Sequence, residues 1–203
     1  MNPRADESVT APPRRPTATA VCDTLHLTAL AIWLGALMTG AISASIVFPT
    51  LRRLNPRLPD FESFTGEHWK IAAGQVQQPV FTWADIIQLA MAGVVFFTLG
   101  LRLVGFGVAQ APRRSATVVR TLAVSAAVVM FAYNLLVLAP RMYPHLKQYW
   151  ALAREGQTQQ AQAEADLFGE DHPTATRILS GTAACVLTAF VAGAWTLARK
   201  REP

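Results

Sequence analysis

Thr24–Phe48 reads TLHLTALAIWLGALMTGAISASIVF, a stretch without one Asp, Glu, Lys or Arg. As an α-helix rising 1.5 Å per residue it would cover roughly 37 Å, more than the ~30 Å of hydrocarbon in a bilayer. Three further runs are nearly as apolar: Val80–Leu101, Thr117–Ala139 and Ile178–Ala198. Inside hydrocarbon no water can satisfy backbone N–H and C=O groups, so segments that cross it must be helical. The expected architecture is therefore all-α. It is an integral membrane four-helix bundle with a helical extramembrane loop between the third and fourth spans.

The composition agrees, at 52% hydrophobic and 15% charged. The net charge of +5 does not point to nucleic acid, because the cations sit at helix ends instead of along one face. Cys22 opens the first span and Cys185 lies inside the fourth, a placement that argues against a disulfide between them. Residues 1–22 form a Pro/Arg-rich tail, and 23–203 form the four-span domain with spans at 24–48, 80–101, 117–139 and 178–198. Within the tail, Met1–Thr19 reads as extended and poorly self-packing. A cleaved signal peptide is the rival reading, disfavoured because the first apolar run is long for such a segment.

With four spans, the tail, the second loop and the C-terminus share one side. That side holds the Arg113/Arg114 pair and the Arg199–Arg201 cluster. Counting Lys and Arg predicts both termini in the cytoplasm and the chain in the cell's inner (plasma) membrane. Two longer connections then face outward. Phe61, Phe64 and Trp69 share one side of a helical turn, predicting a short helix in the membrane interface. Pro79 is expected to mark the beginning of the second span. Arg141–Pro173, rich in Gln, Ala and Glu, is expected to form one or two helices over the outer face, with Asp171 and Pro173 starting the last span. Small residues recur every fourth position at Ala36, Gly40 and Ala44, and at Gly181, Cys185, Ala189 and Gly193. Such stripes let helices approach closely.

Polar groups at membrane depth are candidates for function because they are costly there. Asp85 and Gln88 lie a turn apart near the outer end of the second span, and Tyr133 and Asn134 in the outer third of the third. These four are expected to share a polar pocket, or else Asp85 sits at headgroup level. His68, His145 and His172 fall on the same outer side, so with Asp85 they are the candidate metal ligands, although none has a paired ligand spacing. His26 lies inside the first span, seven residues before Trp33 and on its face. It could hydrogen-bond a neighbouring helix, ligate haem or relay a proton. No nucleophile–base pair, phosphate-binding glycine loop or two-cysteine metal knuckle is visible.

The pattern His26-Leu27-x5-Trp33-x-Gly35, on a helix ending at Pro49, resembles the first span of a broad group of small helical membrane proteins. The group includes the copper-resistance protein D family and HemJ-type protoporphyrinogen oxidases. It also includes four-helix proteins related to a eukaryotic transmembrane protein linked to platinum-drug resistance. The rest of the chain is most similar to the last of these, through Gly74 with Phe81, Pro140-Arg141-Met142, and Phe168-x3-His172. It departs from them at Ala175, where a Ser is common, and at Leu179, where an Asn is common. By resemblance to HemJ-type proteins, His26 would ligate haem. Asn134 through Pro140 and the His before the last span also resemble proteins related to anthrone oxygenases. The leading expectation is a non-catalytic accessory or structural subunit, in contact with lipid and other membrane subunits and not with nucleic acid. The alternative is a protein that handles haem or a metal such as copper.

Overall fold

The computed structural model describes residues 16–105 and 114–198. The Pro/Arg stretch 1–15, the loop 106–113 and the C-terminal 199–203, with the basic clusters read there, lie outside the described residues. The chain forms α1 (Pro16–Leu54), a single 3₁₀ turn (Pro59–Phe61), α2 (His68–Gly105), α3 (Arg114–Tyr133), a π-helical segment (Asn134–Leu138), α4 (Ala139–Arg154) and α5 (Thr158–Ala198). No strand occurs among the described residues. α3, the π segment and α4 run on as one rod, so four long helices carry the four spans.

These helices are far longer than their apolar runs. α5 has 41 residues and α2 has 38, or ~62 and ~57 Å at 1.5 Å per residue, about twice the hydrocarbon thickness. Several expected boundaries are therefore interior. Residues 16–22, assigned to the tail, begin α1, with Pro16 in its first turn where a missing N–H costs nothing. Pro49, Pro79, Pro144 and Pro173 all lie inside helices. Pro79 and Pro173 start no span, and Asp171 caps no helix.

α1 packs along α2, and α5 packs on α1, α3 and α4, whereas α2 and α3 barely touch. The bundle core is centred on Leu30, Trp33, Leu37, Val95, Val124, Phe131 and Val186, with the Trp33 and Phe131 rings edge to face at 6.2 Å. The small-residue stripes make room for large partners. A Cβ on Gly40 would lie 3.1 Å from the Phe81 ring, one on Gly181 3.0 Å from the Met130 sulfur, and one on Gly193 2.7 Å from Leu27. The opposite faces present Phe96, Leu122, Val129, Leu136 and Val191 outward, as lipid-facing helices do.

Beyond the loop ends of the spans the helices build a second core. Phe61, Phe64, Ile71, Tyr149, Ala153 and Ala161 are buried together, with Trp150 against them. Phe61 and Phe64 thus belong to a folded cap and not to an interfacial helix, and Trp69 is in the first turn of α2. Trp69 and Lys70 both hydrogen-bond Glu67, which holds that carboxyl below its usual range. The turn from α4 to α5 closes with Gly156 at φ +75°. Gly156 N–H donates to Ala153 O and Gln157 N–H to Leu152 O, the paired bonds of a glycine-terminated helix.

Candidate functional site

Polar side chains enter the bundle at three levels. The first is the end where α2 finishes and α3 begins, called here the terminal end. Asp23 stands just before the apolar run of α1 and Arg102 just after that of α2, and their carboxylate and guanidinium meet at 2.5 Å. One turn further in, the fully buried His26 places Nδ1 2.8 Å from Thr98 Oγ1. The Thr98 hydroxyl donates to the Val94 and Val95 carbonyls one turn back on α2. Its hydrogen being spent, Oγ1 accepts from His26 Nδ1–H, and this fixes the tautomer that leaves a lone pair on Nε2. That atom is buried and has no hydrogen-bond partner. Cys22 Sγ lies 3.5 Å from the Thr98 carbonyl, and α3 adds the buried Arg120.

At the middle level Trp33 Nε1 donates to Gln88 Oε1 at 3.1 Å, and Gln88 Nε2 donates to Asp85 Oδ1 at 3.1 Å. Gln88 is buried and Asp85 half-buried. Of the expected pocket, Asp85 and Gln88 do meet. Their third partner is Trp33 on α1, reached because α1 lies along the whole of α2. Asn134 and Tyr133 make no side-chain hydrogen bond to either, and Tyr133 faces outward. Asp85 acts electrostatically on Tyr143 instead. About three turns before Gln88 on α2, Gln77 ties α2 to α1: its Nε2 donates to Gly40 O at 3.2 Å and its Oε1 accepts from Ser43 Oγ at 2.9 Å.

The third level is the cap. His68 Nδ1 accepts from Leu58 N–H at 3.1 Å and Nε2 reaches Phe64 O at 2.9 Å, so both ring nitrogens are consumed in closing the loop. His145 Nδ1 is 2.7 Å from Glu164 Oε2, joining α4 to α5. His172 is exposed, its ring beside Phe168 at 5.6 Å. The structure does not gather His68, His145, His172 and Asp85 into a donor set. Among the described residues no group of three or more His, Cys, Asp or Glu side chains could hold a metal ion. The physical reason is that His68 and His145 are held at separate junctions by hydrogen bonds of their own, Asp85 bonds to Gln88 within α2, and His172 is exposed on α5.

For haem, His26 offers the right atom, an unprotonated Nε2, with Arg102 and Arg120 near enough to act on it electrostatically. Space is another matter, since the imidazole is wholly buried. Two open surface grooves, of about 550 and 460 Å³, are lined by Phe48, Arg52 and Trp69 and by Leu135, Tyr143 and Lys147, away from His26. The ligand chemistry fits, but a plate the size of a porphyrin would require the bundle to part.

Sequence reasoning treated Asp23, Arg102 and Arg120 only as charges for topology. The signal was present: Arg120 interrupts an apolar run three residues after it begins, and the other two bracket runs on helices that must meet. Comparison of the chain with protein-family models, curated proteins and solved structures found no match.

Proposed function

We propose that this chain is a non-catalytic membrane protein, an accessory or structural subunit of a membrane complex, with both termini on the cytoplasmic side of the plasma membrane. The observation that carries this reading is the cap. Crossing hydrocarbon takes about twenty residues, yet α2, the α3–α4 rod and α5 continue well past that into a second folded core. A cap built on helices already fixed in the bilayer is rigid, and rigid surfaces lose little conformational entropy on docking. The cap ties up Phe61, Phe64, His68 and His145 internally, which leaves a polar helical surface suited to a transient or composite interface.

Native mass measurement after gentle extraction from the source membrane tests the reading. A defined complex containing this chain is expected, and recovery solely as a lone monomer would overturn it. The orientation rests on Lys and Arg distribution. Cysteines introduced at Glu67 and Gln157 should react with an impermeant reagent from outside intact cells. Labelling only after the cytoplasmic side is opened would invert the topology.

A second reading, haem or metal handling, is favoured by one observation, the unpartnered Nε2 of His26. It expects a visible absorption band or bound metal in the purified protein, lost in His26→Ala and kept in His172→Ala. A colourless, metal-free protein that takes up neither haem nor copper would end it.

A further inference from the structure

Arg120 is the one arginine among the described residues that is wholly inside the bundle, 3% exposed. Its Nε is buried with no hydrogen-bond partner. Arg102 is engaged by the Asp23 carboxylate. Among the described side chains, the terminal end thus brings two guanidinium groups, Arg102 and Arg120, to the Asp23 carboxylate, in a setting of low dielectric. Buried cations are paired as a rule, because the desolvation of an unpaired one is among the largest costs in a protein interior. Arg120 packs against Gly193 on α5, its Cδ and a terminal nitrogen 3.7 and 3.8 Å from where a Cβ would stand.

We propose that the terminal end of the bundle binds an oxyanion, a carboxylate or phosphate group, with Arg120 as its principal partner and His26 Nε2 beside it. The planar fork of a guanidinium matches two oxygens of such a group at once, which a spherical halide cannot exploit. The second unpartnered atom fits the same ligand. Arg120 and Leu27, the residue after His26, both lie against Gly193, so the two groups stand at the same level of the bundle. The Nε2 lone pair then suits the O–H of a protonated oxyanion or of a water bound with it. Asp23 and Arg102 mark where the apolar runs end, and Arg120 lies only three residues, ~5 Å, inside its own. The group can therefore arrive from solution or on a lipid headgroup.

The test uses the full-length protein, delipidated in detergent, with Arg120→Gln and Arg120→Lys variants. In one arm, thermal unfolding is followed against sodium phosphate and sodium acetate, each referred to sodium chloride at equal ionic strength. In the other, native mass measurement follows retention of phosphatidylglycerol against phosphatidylcholine. A saturable rise in the unfolding midpoint is expected in the first arm, or selective phosphatidylglycerol retention in the second. Whichever arm responds identifies the source. Affinity should fall about ten- to a hundredfold in Arg120→Gln, the worth of a charge-assisted contact. If that variant fails to accumulate, Arg120→Lys keeps the charge without the fork and should still lose at least about tenfold. No saturable response of the wild type in either arm overturns the proposal, as does one that neither substitution changes.

Discussion

Gln88 holds two helices and a carboxylate with one side chain, receiving the Trp33 N–H and donating to Asp85. In lipid an amide in this position has no water to fall back on, so the question is how much the pair of bonds contributes. Interhelical hydrogen bonds in membranes average about 0.6 kcal/mol, while a buried donor left unsatisfied costs about 1–3 kcal/mol. Gln88→Leu strands the indole N–H beside the bundle core, so the second figure governs and a loss of about 1–2 kcal/mol is expected. Unfolding in detergent measures it, and a variant as stable as the parent would show that Trp33 finds another acceptor. Gly193 presents the steric counterpart. A Cβ there meets Leu27 at 2.7 Å. Alanine requires only that a flexible leucine tip shift, but Gly193→Leu must separate α5 from α1 and displace Arg120. A loss of about 1–3 kcal/mol is expected from overpacking, and an unchanged unfolding midpoint would mean that the helices are not held at this point.

Among the elements, the π segment Asn134–Leu138 has an identifiable cause. Pro140 has no N–H, and its ring would press on the Leu136 carbonyl in a regular helix. The turn before it widens, and Ala139 N–H reaches back five residues to Asn134 O. Such a segment contains one residue more than an α-helix covering the same rise. Deleting Leu136, which faces outward, should therefore let the helix anneal while α4 keeps its face towards the cap. Deleting the equally exposed Val129 from regular α3 should rotate everything beyond it by about 100° and expel Tyr149 from the cap core. The two deletions differ only in backbone context. Comparable loss of folded protein from both would refute this account of the bulge. None of this was legible beforehand. Pro49, Pro79 and Pro173 read as punctuation, since a proline usually ends a helix in water, whereas a packed bundle can satisfy the carbonyls that it frees. The spans themselves were legible because an unbroken apolar run has one reading in lipid. The Asp85–Gln88 pair was legible from its spacing within α2. Its link to Trp33, and the Asp23–Arg102–Arg120 cluster, depend on which helices adjoin, and no spacing within one helix reveals that.

Taken as a whole the molecule has two cores governed by different physics. Inside the bilayer, apolar side chains face either one another or lipid with little difference in free energy, so close packing and polar contacts must discriminate. In the cap water is present, and the burial of Phe61, Phe64, Ile71 and Tyr149 carries the usual hydrophobic drive. The cap should consequently fail separately from the spans. Phe64 is 3% exposed, its ring edge-on to Tyr149 at 6.2 Å and tilted against His68 at 5.8 Å. Phe64→Ala removes those contacts and leaves a cavity, at a cost of about 3–5 kcal/mol to the structure that contains it. A cap of a few short segments has little reserve against a loss of that size. Hydrogen exchange is the measurement, because it reports opening region by region. Amides of the first turns of α2, of residues 146–154 and of the first half of α5 should exchange faster in the variant. Those around Leu30, Val95 and Val186 should keep their protection. Loss spread evenly over both regions would mean that the cap and the bundle unfold as one unit, and that the long helices transmit the damage across the membrane boundary.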